Sequence, residues 1–211
     1  MVVKRVLVCL FVLTLATGIV WAQGPKVAHT THSGAITPFV PPPGTKVIFS
    51  NLGPSATDAY NDESGYYILG PKNSVGDDEQ WIALPFTPTS NSTVTEITVA
   101  VGWISGGKAI IVGLYSDASG DVGSLLASNT STNVPAFGTC CETVNVQITA
   151  TAITAGTQYW VGVQPDDAHN PGFTGVFESS NSSTIAYNPA EEGWFTFSGN
   201  VPAVQVSGTI Q

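Results

Sequence analysis

The strongest constraint on this chain is a period of two. In "VTEITVAVGW" (94–103), Ile97, Val99, Val101 and Trp103 fall on one side of an extended chain, and Glu96, Thr98 and Ala100 on the other. In "TVNVQIT" (143–149), Val144, Val146 and Ile148 alternate with Asn145, Gln147 and Thr149. Successive side chains of an extended strand point to opposite sides, so such alternation marks strands that bury one face. Further strands are expected at about 45–51, 65–69, 80–86, 109–115, 125–130, 157–163, 174–178, 184–187, 194–198 and 203–208. Turn clusters separate them, among them Ser105-Gly106-Gly107, the stretch 117–123 and Asn170-Pro171-Gly172. Beyond residue 22 no segment sustains an apolar stripe at the helical period. Half-buried strands in this number predict an all-β chain, an antiparallel two-sheet β-sandwich of jelly-roll type. The absence of an internal repeat argues against a propeller or solenoid.

The first 22 residues follow a different rule. Lys4 and Arg5 give a basic start, residues 6–20 are an unbroken run of apolar and small residues, and Val20-Trp21-Ala22 supplies a small-x-small cleavage signal. This is the pattern of a secretory signal peptide, and a membrane anchor would need a run of about 20 apolar residues with a stop-transfer flank. From 23 to 44 the chain is rich in Gly, Pro and Thr and ends in Pro41-Pro42-Pro43-Gly44. Proline removes donors and stiffens the chain, so this stretch is expected to be a tether, with one β-sandwich domain at 45–211. The last residues, "AVQVSGTIQ", contain no apolar helix or basic tail, which favours free secretion over surface anchoring.

Charge narrows the partners. Without Lys4 and Arg5 the only strong cations are Lys26, Lys46, Lys72 and Lys108, against fifteen acidic residues, and no arginine remains. Proteins that hold nucleic acid or anionic lipid cluster Lys and Arg, so neither partner is expected, nor is a membrane span after cleavage. Neutral sugars and cations such as calcium remain compatible.

Five runs carry a family resemblance: "LPFTP" (84–88), "TVTEITVAVGWISG" (93–106), "VGLYSDASGDVGSLLAS" (112–128), "FGTCCETV" (137–144) and "AGTQYWVGV" (155–163). In that order they resemble bacterial secreted domains of the choice-of-anchor type, most closely the R class. The resemblance implies an extracellular β-sandwich joined to varied sorting signals. It implies placement outside the cell and brings no catalytic residues with it.

Several constellations are candidates for chemistry. Trp81, Trp103, Trp160, Trp194 and Tyr115 can stack on sugar rings, although large aromatics more often fill a sandwich core. Trp160 and Tyr159 must point to opposite faces of one strand. Asp117 and Asp121, with Ser119, Gly120 and Gly123, offer oxygens at the density that calcium takes, yet Asp and Gly are also what a tight turn requires. The cluster Asp77-Asp78-Glu79 has the same two readings. Cys140 and Cys141 are neighbours, whose α-carbons sit closer than an ordinary disulfide wants, so a strained local disulfide and two packed thiols both stay open. Glu96 and Glu178 are acids within strands, and His169 lies near Asp166 and Asp167.

These readings favour a non-catalytic secreted or cell-surface module that binds glycan or other envelope or matrix components. The alternatives are a secreted hydrolase acting on polysaccharide, with two carboxylates about 5 to 9 Å apart, and a structural part of a surface assembly with long unpaired sheet edges.

Overall fold

The computed structural model describes residues 24–29, 44–52, 64–71, 73, 79–137, 143–166, 173–189 and 193–211. The expected leader (1–22), most of the expected tether, Asp77 and Asp78, Cys140 and Cys141, and Asp167 and His169 lie outside the described residues.

Twelve strands form in chain order: β1 (Val27–His29), β2 (Lys46–Ser50), β3 (Ser64–Leu69), β4 (Gln80–Phe86), β5 (Ser92–Ser105), β6 (Ile110–Ala118), β7 (Asp121–Ser131), β8 (Thr143–Ile153), β9 (Tyr159–Pro165), β10 (Phe173–Pro189), β11 (Phe195–Pro202) and β12 (Val204–Ile210). All their pairings are antiparallel. The smaller sheet runs β2-β12-β5-β8, and the larger runs β10-β3-β4-β9-β6-β7 with β1 added on β3 and β11 on β10. The two sheets pack against each other as an all-β sandwich. They also join at one corner, where Val101–Ser105 of β5 pairs with the start of β10. Among the described residues no helix is long and apolar enough to cross a membrane.

The alternating sequence accounts for the core. Ile97, Val99 and Val101 of β5, Val144, Val146 and Ile148 of β8, and Val161 and Val163 of β9 are all buried, as expected. They meet Ile82 and Leu84 of β4, Val112 and Leu114 of β6, and Val204 and Val206 of β12 in one apolar layer between the sheets. Removal of such side chains from water is worth about 1.5–3 kcal/mol each. Val94 belongs to the same layer although three residues separate it from Ile97. A bulge reconciles the two, because Thr95 is passed over in both the β5–β8 and β5–β12 ladders.

Three elements differ from the sequence reading. Within the stretch expected to be a tether, Val27–His29 forms β1 and pairs with β3. The Gln80 side chain fastens the approach to it, its amide oxygen accepting from the Lys26 backbone N–H at 2.9 Å and its Nε2 donating to the Lys26 and Tyr67 carbonyls. The segments at 174–178 and 184–187 are one long strand, β10, with a register shift against β11 between Glu178 and Ser182. The stretch 117–123, read as a loop, is almost all strand, because the β6–β7 connection is a two-residue hairpin turn.

Candidate functional site

The outer face of the larger sheet gathers four of the five candidate aromatics. On β4 the alternation that sends Ile82 and Leu84 inward turns Trp81, Ala83 and Pro85 outward. On β9 it sends Tyr159 into the main core and Trp160 to the other side. Register then places Trp160 directly opposite Tyr115 of β6 and Gly162 opposite Gly113. Those two glycines leave room for a ring lying along the sheet: a Cβ on Gly113 would come within 2.8 Å of Tyr115 Cε2, and one on Gly162 within 2.7 Å. Tyr115 therefore lies flat over the glycine pair. Trp194, from the chain entering β11, packs edge-on against Tyr115 at 6.0 Å and against Trp81 at 6.2 Å between ring centroids. Such edge-to-face pairs are each worth about 0.5–1.5 kcal/mol beyond the area they bury.

The four rings differ in access. Trp160 is fully buried and Tyr115 nearly so, with Ala83, Val122 and Ala186 around them. Neither presents a ring face to solvent. Trp81 and Trp194 are half-buried and form the accessible part of the cluster. Burial pushes the Tyr115 phenol up to about 12, and its oxygen accepts a hydrogen bond from Gln164 Nε2. The Trp81 indole nitrogen is buried with no hydrogen-bond partner among the described residues.

Asp117, near the end of β6, is tied to this face. Its Oδ1 accepts from Trp160 Nε1 at 2.9 Å and from Gln158 Nε2 at 2.7 Å, and its Oδ2 accepts from the Gly120 backbone N–H at 3.0 Å. The Trp160 indole first, then the Gly120 amide, hold its carboxyl below the usual range against a smaller opposing effect of burial. Ser119 and Gly120 have φ of 61° and 96° and form the centre of the hairpin, both in the left-handed region that a primed turn demands. Asp121 is exposed at the far side of that turn, paired with Ala118. Among the described residues no three of His, Cys, Asp and Glu come together as a metal site.

Trp103 lies elsewhere. It packs against the core between the sheets, donates from Nε1 to the Gly106 carbonyl at 3.0 Å, and carries the Lys108 ammonium 4.5 Å above its ring. Its backbone joins Pro135 and Phe137 of the β7–β8 connection. Of the acids read as a possible hydrolytic pair, Glu96 lies on β5 of the smaller sheet and Glu178 on β10 of the larger, and the Glu178 side chain is outside the described residues. Asp166 is buried at the end of β9.

The sequence reading missed the polar frame of the aromatic cluster: Gln158, Gln164 and Asn188, whose Oδ1 accepts from Gly193 N–H at 3.3 Å. The alternation Gln158, Trp160, Gly162, Gln164 was the available signal for four positions of that face.

No protein-family model matches the chain, and no curated protein matches it in sequence. One solved structure with partial likeness is an arabinose-bound α-L-arabinofuranosidase, with a TM-score of 0.34 and 13% identity over 75% of this chain and 23% of that enzyme. The chain spans less than a quarter of that enzyme's length, and a likeness at this level carries no argument about function.

Proposed function

We propose that the protein is an exported, non-catalytic β-sandwich module that binds a neutral carbohydrate on the outer face of its larger sheet. The observation that supports this reading is the pair of half-buried indoles Trp81 and Trp194, packed with the buried Tyr115 ring that Gln164 holds by its amide. Half-buried indoles offer apolar faces and edges to the C–H side of a sugar, while the half-buried Gln164 amide suits its hydroxyls. No lysine stands among these residues, which fits an uncharged ligand. The leader pattern and the resemblance to secreted choice-of-anchor domains agree with work outside the cell.

A glycan array probed with the purified protein tests this, alongside Trp194→Ala and with and without calcium. Binding of an uncharged glycan that falls at least tenfold in Trp194→Ala is expected. Failure to bind any glycan, or binding indifferent to that substitution, would overturn the reading. Release of shortened sugars from a bound polysaccharide would favour the hydrolase instead.

A further inference from the structure

The opposite face of the molecule holds a carboxylate that the binding reading does not use. Glu96 lies within β5, the fourteen-residue strand at the centre of the smaller sheet. Ser207 of β12 stands opposite it on one side and Gln147 of β8 on the other. The next row on this face is Gln205, Thr98 and Asn145. The bulge at Thr95 directly precedes the carboxylate in both ladders, and bulges are places where a strand re-aims its side chains.

Glu96 is only 2% exposed. Its Oε2 accepts a hydrogen bond from Gln147 Nε2, and its Oε1 has no partner among the described residues. Two neighbouring donors are directed elsewhere: the Thr98 hydroxyl donates to Asn145 Oδ1 at 3.0 Å, and Gln205 Nε2 to Ser207 Oγ at 3.2 Å. None of the groups that these strands set around it is titratable or charged: Ser207 and Gln205 from β12, Gln147 and Asn145 from β8, and Thr98 on its own strand. An ionised carboxylate withdrawn from water with one oxygen unsatisfied is costly, and proteins relieve that cost by neutralising the group.

We propose that Glu96 is a proton-binding site built into the middle of the smaller sheet, so that the folded protein keeps a proton there when an exposed glutamate has lost it. The fold then tightens as its surroundings acidify. Burial is the largest influence on this carboxyl and raises its pKa, while the Gln147 hydrogen bond pulls the other way. In the unfolded chain the group ionises near the ordinary glutamate value of about 4.3. Below that value both states carry the proton and Glu96 exacts no penalty. Between that value and the higher one of the folded state, folding takes up a proton. Above both, the charge is buried and its full cost is present. Stability from this group is therefore lost as pH rises through that window, by at most about tenfold in the folding constant per pH unit.

This site lies on the other sheet from the aromatic cluster, so its failure would leave the carbohydrate reading untouched. The test is urea unfolding of the wild type and Glu96→Gln from about pH 4 to about pH 8, with a carbon-13 titration of the wild-type glutamate carboxyls. The wild-type folding constant should rise relative to that of Glu96→Gln as pH falls across the window. The variant, neutral throughout, should be at least as stable at the upper end. The Glu96 carboxyl should titrate above the exposed glutamates. Parallel stability profiles, or a Glu96 midpoint at or below the ordinary value, would overturn the proposal. So would a stabilisation by added calcium or sodium at the upper end that Glu96→Gln lacks, since the oxygen would then be taking a metal cation. Should Glu96→Gln not fold, the carboxyl titration of the wild type decides alone.

Discussion

The two outer faces of this sandwich treat a carboxylate in opposite ways, and position along the strand explains why. Asp117 stands at the end of β6, beside a turn whose backbone amides have left the ladder. It collects the Gly120 N–H, the Trp160 indole and the Gln158 amide. Glu96 stands mid-strand between two partner strands, where the backbone N–H groups are engaged in ladders on both sides. Only side chains are left to serve it, and one amide does. The ends of strands can satisfy a charge that their middles cannot. The pH responses are opposed as well. Asp117, held low, stabilises the fold above the usual carboxylate range and loses that contribution as pH falls through its own value. Glu96, held high, does the reverse.

The comparison can be broken at the aromatic side first. Trp160→Ala removes a fully buried ring and strips Asp117 of its leading donor, so a loss of about 3–5 kcal/mol is expected in urea unfolding. A loss below about 1 kcal/mol would mean that the larger sheet's outer face is a covering rather than a second core. On the inward side of the smaller sheet, Val146→Ala should cost about 1–3 kcal/mol by the same measurement, since Val146 lies in the layer between the sheets. No measurable cost there would reverse the face assignment of β8.

Smaller effects sharpen the contrast. Asp117→Asn should cost about 1–2 kcal/mol at neutral pH, allowing for solvent screening, and should converge with the wild type in acid, where Asp117 is itself protonated. A cost that persists unchanged in acid would show that shape rather than charge matters at the turn. Thr98→Val, beside Glu96, replaces a hydroxyl whose acceptor Asn145 is exposed and can turn to water, so about 0.5–1 kcal/mol is expected. If it rivals Asp117→Asn, the polar row of the smaller sheet is as well knit as the hairpin end of the larger.

The strands were legible where large apolar residues fall at every second position. Residues 80–86 were expected as a strand and form β4 with those bounds. The alternation in β5, β8 and β9 named the buried valines and isoleucines, and it separated Tyr159 from Trp160. What escaped reading depends on partners distant in sequence. β1 is hidden by Gly and Pro around it and exists because β3 and the Gln80 side chain receive it. The middle of β10 is Ser and Asn without alternation, so only its pairing with β11 reveals one strand. The convergence of Trp81, Tyr115, Trp160 and Trp194 follows from β4, β9 and β6 lying side by side, which a local pattern does not encode. Trp103 shared the residue type and went to the core. Glu96 could be placed opposite Ile97 and Val99 from the sequence, but its burial is a property of the assembled sheet.

One feature of the topology sets a timetable. β12 comes last among the described strands, yet it sits between β2 and β5, pairing with both. A chain emerging from its amino end presents β2 and β5 long before the strand that joins them, and they wait with bare edges until it arrives. The smaller sheet thus closes only once β12 has emerged, by a contact spanning most of the domain, and such late, distant pairings make for slow folding.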